Sequence, residues 1–264
     1  MSTASPPLEL VIAGEIATIW LNRPDHGNGI DLELATALKT AVFDLERDQG
    51  VRVVVIRGRG KNFSVGGDLS AFSAAGATFP RLAMDIISTF HDALLSLRRS
   101  GKPSVAVVHG ACAGGAMSLA LACDIVLAAD TAIFSVAYRR LAVPADGGMT
   151  HSLTRLAGAR RALELMLLSD RLTAREALSH GLITKLCAEQ ELEADLVRMA
   201  RVLRDNSPDA SSAAKALIWS AETATFDEQL SAELAAFVDC ASSADFREGL
   251  TAFHDRRSPV FGGR

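Results

Sequence analysis

Two glycine-rich loops are the first candidates for chemistry in this sequence. Residues 63–69 read FSVGGDL, and residues 109–118 read HGACAGGAMS. Each loop follows an apolar run typical of a buried strand, and the second leads into a helical stretch. Because glycine has no side chain, a ligand oxygen can approach the backbone closely, and N–H groups at a helix start are free to bind it. Two such N–H groups directed at one point would form an oxyanion hole, each contributing about 3–4 kcal/mol in a transition state.

A single carboxylate is the third candidate. It is Asp146, in the segment PADGG at residues 144–148. An aspartate beside a reacting carbon can act as a general base. An aspartate before two glycines can equally be an ordinary turn or cap residue, and glycine pairs at strand ends more often form simple turns. Local sequence leaves both interpretations open, for the aspartate and for the loops.

Motifs of several other enzyme classes are absent from the sequence. There is no Walker A motif, no GxSxG nucleophile elbow and no HExxH zinc motif, and the six histidines are scattered. The cysteines form no CxxC pair, so we expect free, mostly buried thiols in a reducing compartment, and no bound metal. These cysteines are Cys112, Cys123, Cys187 and Cys240.

Charge and hydropathy exclude two further classes of partner. Charged residues make up 22% of the chain and the net charge is −4, which gives no electrostatic footprint for nucleic acid. The apolar stretch 104–123 contains His109 and three glycines, so it fits a buried strand, loop and helix better than a membrane span. Residues 1–10 lack the basic and apolar regions of a targeting signal. We therefore expect a cytoplasmic protein without nucleic-acid or membrane partners.

Apolar periodicity places the loops in an α/β fold. Alternating or nearly continuous apolar runs predict strands at residues 15–21, 51–57, 104–109, 124–129 and 182–186. Helical spacing predicts helices at 31–48, with Asp31 as N-cap, at 82–98, and through most of the chain after Asp146. The small, polar segment 71–79 is predicted to be a mobile loop. Alternation of strands and helices indicates βα crossovers and the α/β class.

Four sequence blocks occur in a fixed order along nearly the whole chain. They are LNRPDHGNGID (21–31), VVVIRGRGKNFSVGGDLSAF (53–72), KPSVAVVHGACAGGAMSLALACDIVLAAD (102–130) and, after the DGG turn, LTRLAGARRALELMLLSDRLTAREALSHGLI (153–183). In these blocks the chain resembles the crotonase superfamily, also called the enoyl-CoA hydratase/isomerase family. The resemblance implies an α/β spiral of ββα turns, assigned to residues 1–200. It also implies a C-terminal helical trimerisation region at residues 201–264, and hence a homotrimer or a hexamer of two trimers.

The resemblance further implies a ligand and its binding mode. The substrate would be an acyl-CoA thioester, with coenzyme A as part of the substrate and no separate cofactor. Its thioester oxygen would lie between the N–H groups of Gly67 and Gly115. Ala116 stands where the family usually has a third glycine, a change that leaves the Gly115 N–H intact. The predicted substrate-binding residues of the first loop, which would lie along the adenine end of coenzyme A, are Ser64, Val65, Gly66 and Asp68.

Acid–base residues separate the subgroups of this family. Hydratases resemble one another in carrying two glutamates, at the positions of Ser118 and Tyr138 here. A hydroxyl is a poor general base without a partner, so these two residues are predicted to bind substrate. Asp146 stands where isomerases, including the ring-opening isomerase of phenylacetate breakdown, carry their base, although Ala145 replaces the usual proline. We therefore predict a double-bond isomerase in which Asp146 moves a proton.

Three alternatives remain beside the isomerase. A hydratase could position water with Asp146 or with Ser118 and Tyr138. A haloaryl-CoA dehalogenase would use Asp146 as a nucleophile; His91 matches its helical histidine, but its tryptophan near Tyr138 is missing. A non-catalytic acyl-CoA-binding relative would explain the missing glutamates. On local grounds His91 is predicted to be a packing or surface residue, and His109 to hydrogen-bond neighbouring backbone.

Overall fold

The computed structural model describes residues 5–169 and 171–262. The strands are β1 (Leu8–Ala13), β2 (Ile16–Leu21), β3 (Val53–Gly58), β4 (Ser104–Val108), β5 (Ala111–Ala113), β6 (Ile125–Ala129), β7 (Ile133–Ser135), β8 (Leu172–Thr173) and β9 (Lys185–Cys187). The helices are α1 (Leu32–Arg47), α2 (Leu69–Ala75), α3 (Phe79–Arg99), α4 (Gly115–Ala122), α5 (Met149–Ala157), α6 (Ala159–Leu167), α7 (Ala174–Ser179), α8 (Leu192–Asp205), α9 (Pro208–Ser220), α10 (Phe226–Ala241) and α11 (Ala244–Asp255).

Two sheets organise the chain. The larger has the strand order β1-β2-β3-β4-β6-β9, in which only the β1–β2 hairpin is antiparallel. The smaller has the order β5-β7-β8. The chain passes from β4 to β5 and from β6 to β7, so a strand of the larger sheet is twice followed by a strand of the smaller one. The turn from β4 to β5 carries the second glycine loop, and an isolated bridge between Ser64 and Cys112 joins the first loop to the small sheet. The predicted α/β class is confirmed.

The larger sheet is buried on both faces, which explains the continuous apolar run in β3. Val54 and Ile56 join the main core with α1 and α3, whereas Val53 and Val55 join a second core beneath α8. Successive side chains of a strand point to opposite faces, so a strand covered on both sides is apolar throughout.

Three local predictions need correction. Strand β1 was not anticipated; it is an edge strand whose residues 10–12 are exposed, so it lacks a buried apolar pattern. The predicted mobile loop at 71–79 is wrong, because α2 forms there: the Asp68 side chain caps it by accepting from the N–H groups of Ser70 and Ala71, and alanine favours helices. The last strand lies at Lys185–Cys187 rather than at 182–186.

Helical structure dominates after β9, as expected. The predicted boundary after residue 200 falls within α8, whose Leu196 and Ala200 pack on the sheet; the two-region division stays a prediction. No helix in the described ranges combines the length and apolarity that a membrane span requires. All four cysteines are free, and three are buried, as predicted: Cys112, Cys123 and Cys187.

Candidate active site

The two glycine loops lie side by side. The Ser64 N–H donates to the Ala111 carbonyl and the Ala113 N–H donates to the Ser64 carbonyl, both at 3.1 Å. Beyond this parallel pairing the loops nearly touch, because a methyl group on Gly66 would lie 2.5 Å from the Ala113 carbonyl oxygen and 3.3 Å from the Gly115 nitrogen. This contact brings the two predicted N–H donors close together. It joins segments some fifty positions apart, so the sequence alone did not show it.

Both predicted donors are unused. A parallel bridge pairs Ile30 with Gly67, but its hydrogen bonds use the carbonyl of Gly66 and the N–H of Asp68, so the Gly67 N–H is left over. Gly115 is the first residue of α4, where an N–H has no partner within the helix. Among the residues that the structure describes, neither N–H has an acceptor. Two free N–H groups on adjoining loops can bind one oxygen and stabilise negative charge on it.

A buried asparagine supports the first loop. Asn28 is fully buried in the left-handed conformation, with φ of 57°. Its amide Nδ2 donates to the carbonyl oxygens of Arg59 and Asn62 at 2.9 Å and approaches that of Phe63 at 3.1 Å. The backbone carbonyl of Asn28 accepts from the Ser64 hydroxyl at 2.7 Å. Asn28 therefore ties the segment 58–64 to the turn before α1, and so helps to place the Gly67 N–H.

Replacing Asn28 by alanine should lower the free energy of unfolding by about 3 kcal/mol. The carbonyl groups that accept from the Asn28 amide lose that donor, and alanine, unlike asparagine, has no polar side chain to offset the cost of a positive φ. Urea denaturation would measure the change. Asn206→Ala, at an exposed position, is the control and should change stability by less than about 0.5 kcal/mol. Equal effects of the two substitutions would contradict the role given to Asn28.

The other predicted residues of the first loop differ in what they offer a ligand. Ser64 is fully buried and its hydroxyl is engaged with Asn28, whereas Val65 is 41% exposed. The Asp68 carboxylate caps α2 and forms an ion pair with Arg23 at 3.0 Å. Although burial opposes it, hydrogen bonds from Ala71 and Arg23 hold the pKa of Asp68 below its ordinary value. Ser64 and Asp68 thus shape the loop, and Val65 supplies accessible surface.

Asp146 is held by the two residues that occupy the glutamate positions. The Tyr138 hydroxyl donates to Asp146 Oδ1 at 2.6 Å, and the Ser118 hydroxyl donates to the Asp146 backbone carbonyl at 2.9 Å. That Ser118 and Tyr138 bind substrate stays a prediction; the structure shows that each contacts Asp146. Since Tyr138 occupies only Oδ1, the second oxygen of the carboxylate is available to take or give a proton.

One aromatic ring connects Asp146 to the glycine loops. A methyl group on Gly147 would lie 3.1 Å from the edge of the Phe90 ring, and one on Gly115 would lie 3.7 Å from the same ring carbon. The backbone beside Asp146 and the backbone that carries the Gly115 N–H therefore flank a single buried side chain. The structure thus brings the backbone at Asp146 close to the two loops that carry Gly67 and Gly115.

The tyrosine remains a hydrogen-bond donor. Burial and, after it, the neighbouring Asp146 carboxylate raise the pKa of Tyr138 well above its ordinary value. Tyr138 therefore stays protonated at neutral pH. In this form it can orient Asp146, but it cannot itself serve as a base.

Tyr138→Phe should lower kcat about tenfold with little change in KM, because hydrogen bonds to charged groups contribute about 1.5–3 kcal/mol and this one fixes the carboxylate. Steady-state kinetics on an enoyl-thioester would measure it. Tyr138→Phe in an Asp146→Asn background should have a much smaller effect on kcat, because the carboxylate that Tyr138 orients is no longer present. Full additivity of the two substitutions would contradict the coupling.

Sequence reasoning missed two features of the site. His91 was treated as a packing or surface residue, yet its Nε2 accepts the Gly147 N–H at 3.0 Å. Phe72 lies in the segment predicted to be a loop, and its ring would be 2.6 Å from a methyl group on Gly67. Both depend on contacts between distant segments, so neither had a local signal. His109 does pair with backbone, the Gly60 carbonyl at 3.0 Å, as predicted.

A cavity of about 500 Å³ lies beside the small sheet. It is lined by residues of β5 and β7, and also by Val136, Ala137, Arg139, Arg140 and Met166, among others. Gly67, Gly115 and Asp146 do not line it. The candidate site formed by the two free N–H groups and the carboxylate is therefore not part of the lining of this cavity. The described residues include no group of three or more histidine, cysteine, aspartate or glutamate side chains arranged to hold a metal.

Comparison with known proteins identifies the class to which this fold and site belong. The crystal structure of an enoyl-CoA hydratase from Polaromonas sp. JS666 matches with a TM-score of 0.92 at 32% identity, over 97% of this chain and 99% of that chain. A trans-2-decenoyl-[acyl-carrier-protein] isomerase from Streptococcus mutans is 32% identical, over 94% of this chain and 95% of its own. The 1,2-epoxyphenylacetyl-CoA isomerase of Escherichia coli K12 is 34% identical, with the same coverage of 94% and 95%.

These similarities define a crotonase-fold protein with a helical C-terminal region, as the motifs indicated. The sequence model of the enoyl-CoA hydratase/isomerase family matches residues 12–264, and the chain belongs to that family. It is an enzyme of a family whose members act on acyl-CoA thioesters. Both isomerases and hydratases are among its relatives, so membership alone does not choose the reaction.

Proposed function

We propose that this protein is an enoyl-CoA isomerase that shifts a double bond with Asp146 as its single base. The observation that carries the proposal is the surroundings of Asp146: the Tyr138 hydroxyl donates to its carboxylate and the Ser118 hydroxyl to its backbone carbonyl, from the two positions where a hydratase would carry glutamates. Adding water across a double bond is served by two acid–base groups. Moving a proton between two carbons of one substrate needs only one, which first removes the proton and then returns it.

The reaction runs through a dienolate. In a 3-enoyl thioester, Asp146 removes a proton from C2, and the electron pair passes into the thioester carbonyl. The oxygen that becomes negative accepts hydrogen bonds from the N–H groups of Gly67 and Gly115. Asp146 then delivers its proton to C4, the double bond forms between C2 and C3, and the 2-enoyl thioester leaves. No cofactor takes part, because the proton and the electron pair both remain within substrate and aspartate.

One feature of the chain and the names of two relatives support a thioester substrate with a long carrier. Val65 exposes its side chain beside the donor loop, and we assign residues 64–68 to the adenine end of coenzyme A. The relative from S. mutans is named for a substrate on acyl carrier protein, and the relative from E. coli for one on coenzyme A. Coenzyme A is our proposed carrier, and the acyl-carrier-protein thioester is the comparison substrate.

The test is product analysis with two substrates. A 3-enoyl-CoA should be converted to the conjugated 2-enoyl-CoA, whereas a 2-enoyl-CoA should not be converted to a 3-hydroxyacyl-CoA. Hydration of the 2-enoyl-CoA at a comparable rate would replace the isomerase with a hydratase. Binding of acyl-CoA without turnover of either substrate, or of a haloaryl-CoA, would indicate a non-catalytic relative.

The C-terminal helices expose a large apolar surface, which we propose is buried in a homotrimer or a hexamer of two trimers. Four side chains of α10 and α11 are 68–79% exposed: Phe226, Leu234, Phe237 and Phe253. Exposed apolar surface on this scale marks interaction sites. Light scattering of the purified protein should give the mass of three or six chains, and the mass of one chain would contradict the assignment.

A further inference from the structure

The peptide bond that follows Asp146 is held on both sides. On one side, the Asp146 carbonyl accepts from the Ser118 hydroxyl at 2.9 Å and from the Met149 N–H at 3.1 Å. On the other side, the Gly147 N–H donates to His91 Nε2 at 3.0 Å. Ser118 belongs to α4 and His91 to α3, so two helices that pack in the core determine how this peptide is turned.

We propose that His91 is a positioning residue that aims the Asp146 carboxylate at the substrate by fixing the Gly147 N–H. The inference rests on the proposed function, in which Asp146 is the base. Tyr138 holds one oxygen of the carboxylate, whereas His91 holds the backbone from which the side chain extends. Rotation of this peptide would swing the carboxylate away from the carbons of the substrate even if the side-chain rotamer were unchanged.

Of the groups that hold this peptide, His91 is the one that no second contact backs up. The carbonyl has two donors, so it keeps one if Ser118 is removed. The Gly147 N–H has a single acceptor among the described residues, and Gly147 is buried. The space is also tight, since a methyl group on Gly147 would lie 2.6 Å from Ser118 Cβ. A buried N–H without its acceptor must find another partner, so we expect the peptide to shift when the acceptor is removed.

The direction of the hydrogen bond assigns the chemical form of the ring. An imidazole nitrogen that accepts an N–H must carry a lone pair, so Nε2 is unprotonated and the neutral ring bears its proton on Nδ1. That lone pair is occupied by Gly147. His91 therefore acts through the backbone and does not take a proton from substrate or water in this arrangement.

Two substitutions separate this role from simple packing. His91→Phe keeps a ring of similar size but has no acceptor, and kcat should fall roughly tenfold to 100-fold with KM nearly unchanged. His91→Gln places an amide oxygen near the position of Nε2 and should recover most of the lost kcat. Leu95→Ala, on the exposed side of the same helix, is the control and should match the parent enzyme. Thermal unfolding of each variant shows whether the fold is retained.

The readouts distinguish failure of this inference from failure of the proposed function. If the parent enzyme hydrates 2-enoyl-CoA instead of isomerising 3-enoyl-CoA, the isomerase proposal fails, and the His91 variants are compared in hydration, where the same loss and recovery of kcat would still support positioning. If the parent turns over neither substrate, positioning of a catalytic base is overturned as well. Unchanged kcat in His91→Phe, or a loss that His91→Gln does not recover, would overturn the role of His91 with the proposed function intact.

Discussion

Replacing Asp146 by asparagine should reduce kcat for isomerisation of a 3-enoyl-CoA by about 1000-fold, because general acid–base catalysis contributes about 10²–10⁴-fold. Asparagine has nearly the same shape and keeps an oxygen that can accept from Tyr138, so the geometry of the site should be retained. Formation of the conjugated thioester can be followed by its absorbance. Affinity for an acyl-CoA, measured by calorimetry, should change less than about twofold.

A second carboxylate provides the matched control. Asp92 lies on the exposed surface of α3, where it pairs with Lys39 at 2.7 Å, and Asp92→Asn removes a charge without touching the site. Its kcat should equal that of the parent enzyme. An Asp146→Asn enzyme that isomerises as fast as Asp92→Asn would exclude Asp146 as the base.

Replacing Gly66 by alanine should lower kcat by about 100-fold or more, because it forces the two donor loops apart. The added methyl group would lie 2.5 Å from the Ala113 carbonyl oxygen, a backbone atom that cannot move alone. Displacing that strand shifts the N–H of Gly115 relative to the N–H of Gly67. Loss of one donor from an oxyanion hole typically lowers kcat by about 10²–10³-fold.

The control for this substitution separates steric from conformational effects. Gly66 and Gly158 both have positive φ, 87° and 79°, so alanine is disfavoured at either position. A methyl group on Gly158 would meet no atom within 4 Å. Gly158→Ala should therefore lose stability, by about 1–2 kcal/mol, without loss of kcat. If kcat fell equally in the two variants, the proposed closeness of the donor loops would be contradicted.

Much of the fold could be predicted from local patterns. Strand β3 is recognisable because a strand buried on both faces must be apolar throughout. Helix α1 is recognisable from its apolar spacing and from Asp31, whose side chain accepts from the Leu34 N–H as an N-cap should. Strand β1 was missed because an exposed edge carries no such pattern, and α2 was missed because it is short and none of its residues is fully buried.

The candidate residues of the site could be selected from the sequence, but their connections could not. Glycine loops and an aspartate in family register single out Gly67, Gly115 and Asp146 as candidates. The hydrogen bond from Tyr138 to Asp146 spans a turn whose shape depends on two left-handed residues, Ala137 and Ala142, which no propensity rule anticipates. The contact between His91 and Gly147 joins segments 56 positions apart, and such pairing follows only from the packed structure.

These contacts change the meaning of the missing glutamates. Ser118 and Tyr138 replace a hydratase's acid and base, but they also have contacts of their own, since both hydroxyls donate to Asp146. Tyr138, kept protonated by burial and by the carboxylate, donates to one oxygen of that carboxylate. In the proposed mechanism Asp146 is the one proton carrier, and these contacts anchor it for moving a proton between two carbons of the same substrate.

Transfer of an isotopic label tests this central claim most directly. A 3-enoyl-CoA that carries deuterium at C2 is incubated with the parent enzyme in ordinary water, and the 2-enoyl-CoA formed in the first turnovers is examined by mass spectrometry and NMR. A single carboxylate that carries the proton from C2 to C4 predicts deuterium at C4 of the product. Product without any deuterium at C4, or a 3-hydroxyacyl-CoA in its place, would contradict the account.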